Sequence, residues 1–548
     1  MRFLVLVLTL GCSGFVLAQT VPAVPRTAER DLQQLQQDFD QRRIESEIDE
    51  MRLKAQPEAA SVPLHSVPSS EASFEFHLSG ITHDKSTVLT EQEILKAVSP
   101  WIGKTISAAD LSQILNAINA LYHEKGYAVC MAVLKPQRIQ DGVLHISLIE
   151  GKTDEVTVQG AKHTSASYIF SAFDFEKGKV ANYAQMYDDL VEFNMTNDVL
   201  LTVDIRPGSR EETTSYAIGV HEPANWTGAI FADTVGTKST GRPRLGASVT
   251  NRSVFGRRDA ATLLGVVSQG SKSVMASYAL PLTAKGTRLT GALSYGKVEI
   301  VSGPSEVLDI TGDSLLWNVR LDHPVYVSNN AKWTAFVEYT RRESQTDVFT
   351  DIRMNDTEIA TYSFGLETIY LASNSLFYLN NALVAADAED NVFVNNDRKY
   401  RFYKGNLLMQ HNLAEDVKVS FSAAWQAKLA GDEMMTADYF YLGHVSGVRG
   451  YDNDLISAEN GFYLNAQAGW NFLGPAETEL YGFFDYGRLS GLNSYSAKRL
   501  ASAGLGLRWP LFKGASLEVV GSVPLYKDVG EAGHVSSARA DLTATIVW

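Results

Sequence analysis

Three patterns of apolar and polar positions follow one another along this chain. Between residues 27 and 55, Leu32, Leu35, Phe39, Ile44, Ile48 and Met51 recur at helical spacing among Gln, Glu, Arg and Asp. That spacing predicts one long helix with a narrow apolar stripe. Pro57 ends the pattern, and a Pro/Ser/Ala stretch to Ser73 reads as a flexible tether. A polar helix of this kind has no core of its own, so it either docks elsewhere or stays a solvated stub.

Two modules with a common order of elements, β-α-α-β-β, follow. The first has a strand at 74–82, helices at 90–101 and 109–125, and strands at 127–134 and 143–149. Leu111, Leu115, Ile118 and Leu121 share one face of its long helix, and Gly126 stands where helices commonly end. The second repeats the plan with a strand at 155–159, helices near 165–172 and 181–195, and strands at 200–206 and 213–221. Each module is about 70 residues, enough for a small two-layer domain.

From residue 225 the pattern becomes apolar/polar alternation in sixteen segments, beginning with 225–233 and 242–251 and ending with 515–526 and 537–548. Strands of about 9–11 residues with alternating faces and an even count are what a transmembrane barrel requires. Unpaired sheet edges cannot face lipid, so such a sheet must close. Aromatic residues, among them Tyr278, Tyr295, Trp317, Trp333, Tyr362, Tyr403, Trp470 and Trp509, fall toward segment ends, as interfacial girdles do. A soluble β-sandwich gives similar alternation, but the strand count and the leader described next favour the barrel.

Residues 1–18 carry Arg2, an apolar run from Phe3 to Leu10 and the small-residue ending Val16-Leu17-Ala18. This predicts a Sec signal peptide and a mature chain starting at Gln19. The run is too short to span a bilayer, and Thr9-Leu10-Gly11 before Cys12 fits a lipoprotein signal poorly. No later stretch holds about 18 uninterrupted apolar residues, so any membrane passage uses strands. The acidic balance, 63 Asp and Glu against 48 Lys and Arg, argues against a nucleic-acid partner. Without the leader only Cys130 remains, which rules out an intramolecular disulfide. Its apolar strand setting at 128–134 predicts a buried, inert thiol.

Sites for chemistry dissolve on inspection. Gly151-Lys152-Thr153 ends like a phosphate-binding loop, but Ile146 stands where the leading glycine belongs. His123-Glu124 and His221-Glu222 lack the second histidine of a zinc helix. Gly443 to Gly447 has the spacing of a nucleophile elbow with Val445 at its centre instead of serine. No catalytic, metal or cofactor site is predicted.

Two motifs near the C-terminal end carry more: a loop reading Gly447-Val448-Arg449-Gly450-Tyr451-Asp452, and a strand reading Phe483-Phe484-Asp485-Tyr486-Gly487. A V-R-G-Y loop followed by an F-x-D-x-G strand marks the outer-membrane barrels that insert or export polypeptides. With a tethered helix and two β-α-α-β-β modules ahead of the barrel, the chain resembles the TpsB transporters of two-partner (type V) secretion. The resemblance, haemolysin-activator and filamentous-haemagglutinin-transporter-like, covers nearly all of the mature length. Ser239-Thr240-Gly241-Arg242 leading into 245–251, Phe255-Gly256-Arg257 and Tyr278-Ala279-Leu280-Pro281-Leu282 read like that family's barrel segments. The chain departs from the family at His444, where a second glycine is common, and at Trp548, where Phe is the more frequent ending.

The resemblance implies an α+β periplasmic region of two POTRA domains followed by a sixteen-stranded antiparallel transmembrane β-barrel. Its divisions would be a signal peptide (1–18), a periplasmic or plug helix (19–56), a linker (57–73), POTRA domains (74–151 and 152–224) and the barrel (225–548). A long loop, 430–460, would fold into the barrel with Arg449 at its tip and Asp485, on the thirteenth strand, as its inward-facing partner. Val448, Gly450 and Tyr451 complete the loop motif, Phe483 and Gly487 the strand motif, and Gly447 and Gly450 allow the tight turn. An exposed extracellular cation is the competing reading of Arg449. The implied function is ATP-independent export, from the periplasm across the Gram-negative outer membrane, of an unfolded exoprotein of the β-helical adhesin, haemolysin or toxin class. The other implied partners are outer-membrane lipid and, during biogenesis, periplasmic chaperones and the barrel-assembly machinery; the protein itself would be a monomer without a cofactor. A barrel-insertion factor, which shares the V-R-G-Y loop, is the alternative.

Overall fold

The computed structural model describes residues 27–54, 75–303, 305–349, 352–392, 397–444, 447–453, 455–472, 478–493, 498–529 and 535–548. The expected signal peptide at 1–18 and linker at 57–73 lie outside them.

In the first module the strand Val143–Ile149 lies between Gly80–His83, parallel to it, and Met131–Val133, antiparallel. Helices Glu91–Val98 and Ala108–Glu124 pack against this sheet. Capping boxes, Thr90 with Glu93 and Ser107 with Asp110, start both helices by satisfying backbone N–H groups that have no intrahelical partner. Leu111, Leu115 and Ile118 form a core with Ile94, Val98, Leu144 and Ile146.

Three boundaries differ from the expectation. The strand expected at 74–82 is interrupted at Leu78, whose N–H turns to the Lys104 carbonyl at 2.9 Å; the piece Glu75–His77 pairs with Thr105–Ser107 instead. The helix expected to reach 101 stops at Val98, and Trp101 donates back to its carbonyl at 3.1 Å. Of 127–134 only Met131–Val133 is strand, because Cys130 donates to Tyr127 and closes a turn before it.

The second module repeats the arrangement, with Thr213–His221 between Lys152–Gln159 and Leu200–Pro207. Its helices, Ala166–Phe170 and Tyr183–Thr196, are capped by Ser165 and Asn182. Asn182 also donates to the Lys125 carbonyl at 3.1 Å, and the Ala184 N–H to the Gly126 carbonyl at 3.1 Å, which joins the two modules.

All sixteen alternating segments are strands of one closed antiparallel barrel, from strand 1 (Trp226–Asp233) to strand 16 (Arg539–Val547). Closure is made by strands 1 and 16, Thr543 to Val547 pairing with Asp233 to Ala229, and by reciprocal bonds of Gly228 with Trp548 at 3.1 and 3.0 Å. Strands 6 (Thr311–Ser328), 7 (Ala331–Val348), 8 (Ile352–Ala372) and 9 (Ser375–Asp390) run past the predicted segments. Their outer ends are polar on both faces, so pairing continues (Glu343 with Glu358, Ser344 with Thr357) where apolar alternation has stopped. On the outside of the wall, Trp317, Tyr339 and Tyr362 form a ladder with ring centroids 5.2 and 5.1 Å apart, as expected of an interfacial girdle. No described helix is long and apolar enough to cross a membrane.

The N-terminal helix, Thr27–Lys54, lies inside this barrel. Leu32 and Leu35 pack on Phe231, Leu264, Met275 and Leu316 of the wall, with Phe39 beside them. Ile48 and Met51, with Ile44 alongside, pack on Ile369, Leu371, Leu376 and Tyr378 and on Met195 of the second module. The narrow apolar stripe is thus the docking face. With 28 residues at about 1.5 Å each the helix is about 42 Å long, more than the roughly 30 Å hydrocarbon thickness of a bilayer.

Candidate functional site

Phe483, Asp485 and Gly487 alternate along strand 13 (Glu479–Asn493), so one face carries all three, and that face looks into the lumen. Asp485 is fully buried. Its Oδ2 accepts from the Arg449 backbone N–H at 3.0 Å and from Arg449 Nε at 2.8 Å, and its Oδ1 accepts from Arg449 Nη2 at 2.8 Å. The guanidinium is therefore held in two-pronged fashion, a geometry that lysine cannot reproduce. Phe483 lies beneath it, the guanidinium carbon 3.6 Å from the ring centroid, close enough for a cation–π contribution. Gln467, opposite Phe483 on strand 12 (Ile456–Asn471), accepts from Nη1 at 3.3 Å. Gly487 supplies room: a Cβ there would stand 2.8 Å from Leu442 and 3.1 Å from Val448 of the loop.

The loop between strands 11 (Val417–Gly431) and 12 folds back against the inner wall. It carries a short strand, Phe440–Leu442, paired with strand 12. Gly447 and Gly450 have φ of +103° and +92°, a region that costs glycine little, and a Cβ on Gly447 would sit 2.2 Å from the Tyr463 ring. Val448 is fully buried with Leu442 and Leu489. The Tyr451 hydroxyl lies between the carbonyls of Ala501 and Tyr526, 2.8 and 2.9 Å away, and shares its one proton between them. All seven predicted residues therefore meet at one place, and Arg449 is not an exposed extracellular cation.

A second tie went unread in the sequence. Arg539 of strand 16 donates to the Tyr451 carbonyl at 2.9 Å and pairs with Asp541 at 2.8 Å. The unusual His444 accepts from the Gly450 N–H at 3.4 Å, with its Nε2 3.5 Å from Asp541. The available signal was the Arg539/Asp541 spacing of two, which places both charges on one strand face.

A third group joins barrel, helix and second module at the module-side mouth. Arg258, in the turn between strands 2 (Arg244–Asn251) and 3 (Ala260–Val267) and fully buried, grips Asp198 of the second module through Nε at 2.7 Å and through Nη2. Burial would raise the Asp198 carboxyl, but the hydrogen bond and charge of Arg258, then the charges of Arg252 and Arg288, outweigh it and hold the group below the usual carboxylate range. In the first module burial pushes the Cys130 thiol up to about 12, which leaves it protonated and unreactive at neutral pH.

This geometry has known counterparts. The family described as haemolysin secretion/activation protein ShlB/FhaC/HecB matches residues 214–509, and the POTRA domain of ShlB type matches 76–151. The outer membrane transporter CdiB of Escherichia coli O6:K15:H31 (strain 536 / UPEC) is 23% identical over 444 residues, covering 77% of this chain and 75% of that protein. The heme/hemopexin transporter protein HuxB of Haemophilus influenzae (strain 86-028NP) is 22% identical over 550 residues, 95% of each chain. Among solved structures, CdiB from Escherichia coli superposes with a TM-score of 0.70 at 21% identity, over 95% of this chain and 98% of that one.

Proposed function

Because the chain belongs to the haemolysin secretion/activation protein family (ShlB/FhaC/HecB), whose members are outer-membrane transporters of two-partner secretion, we propose that its barrel works with a fixed loop and a removable plug. The chain is an outer-membrane transporter for a secreted exoprotein, with its POTRA region in the periplasm. Arg449 and Asp485 hold the loop 430–460 in the secretion-competent place, with Val448, Gly450, Tyr451, Phe483 and Gly487 shaping the seat. The helix region 19–56 fills the lumen between export events and withdraws into the periplasm on the tether 57–73. The modules 74–151 and 152–224 capture the unfolded exoprotein, which adds as a strand beside an outer strand of a three-stranded sheet such as Gly80–His83 or Leu200–Pro207. Folding of the cargo outside draws the chain through the barrel at 225–548 without ATP.

We assign the cargo to the class of large β-helical exoproteins; what supports this is that relatives bear the names hemolysin transporter and heme/hemopexin transporter. Lipid around the girdle, chaperones and the assembly machinery during biogenesis, and a monomeric working state complete the reading. The alternative of a barrel-insertion factor gains nothing from these relatives.

The observation that carries the reading is the bidentate seat of Arg449 on a fully buried Asp485, beside a helix packed against the inner wall. The plug is tested by tethering it. Gln33 of the helix donates to the Ala437 carbonyl of the loop at 2.8 Å, so cysteines at these two positions, joined by a short bis-maleimide, pin the helix in place. Cys130 does not interfere, since its buried thiol stays protonated. In planar bilayers the linked protein should lose its large-conductance openings, and export should stop. Equal conductance with and without the link would refute the plug.

A further inference from the structure

Charged groups of the wall that meet the helix also meet a second, opposite charge that does not belong to the helix. Arg244 of strand 2 is 4.0 Å from Asp38 of the helix, yet it holds Asp233 of strand 1 through Nε and Nη2 at 2.8 and 2.9 Å. Arg252, just past strand 2, donates to Glu50 at 2.8 Å and to Asp198 of the second module at 3.4 Å. Arg342 of strand 7 is 3.7 Å from Glu29 and also donates to Asp438 of the loop. Lys332 of the same strand contacts Glu47. Glu367 of strand 8 lies diagonal to Lys332 on the same face and attracts it from the wall side. In a pair of opposite sense, Arg43 of the helix donates to Glu367 at 3.1 Å, and Arg320 of strand 6 stands 3.7 Å from that carboxylate. Three other polar contacts of the helix end on neutral groups: Arg52 on Gln410, Gln33 on the Ala437 carbonyl and Lys54 on the Asn197 carbonyl.

The placement is directional. Glu29 and Glu47 lie about five turns apart on one side of the helix and face strand 7. Asp38, on the opposite side, faces strand 2. The wall holds the helix from two sides, with the cation on the wall in four of these pairs. Without further partners, Arg244, Arg252, Lys332 and Arg342 would become a row of bare cations once the helix withdrew. Stranding a charge of this kind is what makes breaking a buried pair costly, and such a row would also cling to any acidic stretch of a passing chain.

We propose that Asp233, Asp198, Asp438, Glu367 and Arg320 are standby counter-charges, which let the helix leave without stranding a wall charge and leave the vacated channel close to charge-balanced toward the polypeptide it passes. The proposal rests on the reading of the helix as a removable plug. It separates two kinds of carboxylate by the sign of their effect. Helix carboxylates favour docking; Asp233, Asp198 and Asp438 favour release, while Glu367, which also holds Arg43 of the helix, acts in both directions.

The test uses the full-length protein in planar bilayers. Asp233→Asn and Asp438→Asn should each lower the frequency of large openings several-fold, because Arg244 and Arg342 then depend on the helix for a counter-charge. Asp38→Asn and Glu50→Gln should raise that frequency several-fold. During open bursts in a salt gradient, the reversal potential of wild type should lie near zero, and Asp233→Asn should move it toward the anion side. Heat-modifiable gel migration identifies variants with an intact barrel. Openings of Asp233→Asn and Asp438→Asn as frequent as in wild type, or a strongly anion-selective wild-type channel, would overturn the proposal. The linked Gln33/Ala437 protein separates the two readings: if the link leaves the channel open, the plug itself is wrong. If the link closes it but the standby variants open freely, only the standby charges are wrong.

Discussion

Two guests occupy the same barrel, and the wall treats them differently. The loop is held on the side of strands 12–16 by a carboxylate with no exposed surface, Asp485, whose ion-pair partner among the described residues is Arg449. Around that pair the loop is fitted without slack: Gly447 lies against Tyr463, Gly487 under Leu442 and Val448, and the Tyr451 hydroxyl between two carbonyls. The helix is held on the side of strands 1–9 through a thin apolar stripe and ion pairs of mixed exposure, from Glu29 with Arg342 at 2% and 8% to Arg43 at 36%. Its wall partners have other charges to turn to. The difference is one of exclusive against shared partners, which is what the proposed fixture and the proposed plug each require. The two segments also differ in sequence, a glycine-bracketed motif in the loop and a polar helix with a narrow apolar stripe.

The strongest test of that contrast is to take away one side of the exclusive pair. Arg449→Ala or Asp485→Ala leaves an uncompensated charge, at a local cost of about 3–5 kcal/mol. That is enough to unseat the loop but small beside the hydrogen-bond ladder of a sixteen-stranded barrel. Both variants should insert with normal heat-modifiable mobility and lose most export of the exoprotein, and the double variant should be no worse than either single one. Arg449→Lys keeps the charge but loses the second prong, and should recover little. Wild-type export by Arg449→Ala would remove the lock, and strictly additive losses would mean that the two residues act apart.

A smaller effect should come from the fit around the pair. A Cβ on Gly487 would press on Leu442 Cδ2 at 2.8 Å and Val448 Cγ2 at 3.1 Å, which a turn of the Leu442 side chain and a shift of a few tenths of an ångström at Val448 would relieve. Gly487→Ala should therefore be tolerated with a modest loss of export. Gly487→Val, with no such room, should lose nearly as much as the charge variants although Arg449 and Asp485 remain. Full export by Gly487→Val would show that the loop is not close-fitted there.

What could be read in the sequence divides along the same line. Barrel strands announce themselves by a period of two, and all sixteen were legible because the wall separates lipid from lumen at nearly every position. The meeting of Arg449 with Asp485 was legible because the residues cluster in two short motifs. The helix's apolar stripe was also visible, since Leu32, Leu35, Ile48 and Met51 are buried at helical spacing. Its wall partners were not, because the pairs join positions hundreds of residues apart, Arg43 with Glu367 and Glu29 with Arg342. Such pairs leave no local periodicity. The polar outer ends of strands 6–9 escaped for a related reason: water on both faces erases the alternation while the backbone ladder continues.

The junction of barrel and second module lies between the two regimes and should show the smallest response. Asp198 is gripped by the fully buried Arg258, as in the lock, and is also reached by Arg252, which serves the helix, as in the dock. The arginines hold its carboxyl below the usual range against the opposing effect of burial. A carboxyl depressed in the folded state contributes its full stabilisation above its unfolded value, about 3.9. That contribution is lost only as the pH falls below this value and through the folded one. Between pH 7 and pH 5 the junction should therefore not change, and limited proteolysis at the module–barrel boundary should give one pattern across that window. Below about pH 4 cleavage should appear, and Asp198→Asn should show the same cleavage already at pH 7. Loosening of the wild-type junction near pH 6 would mean that a group other than Asp198 governs it.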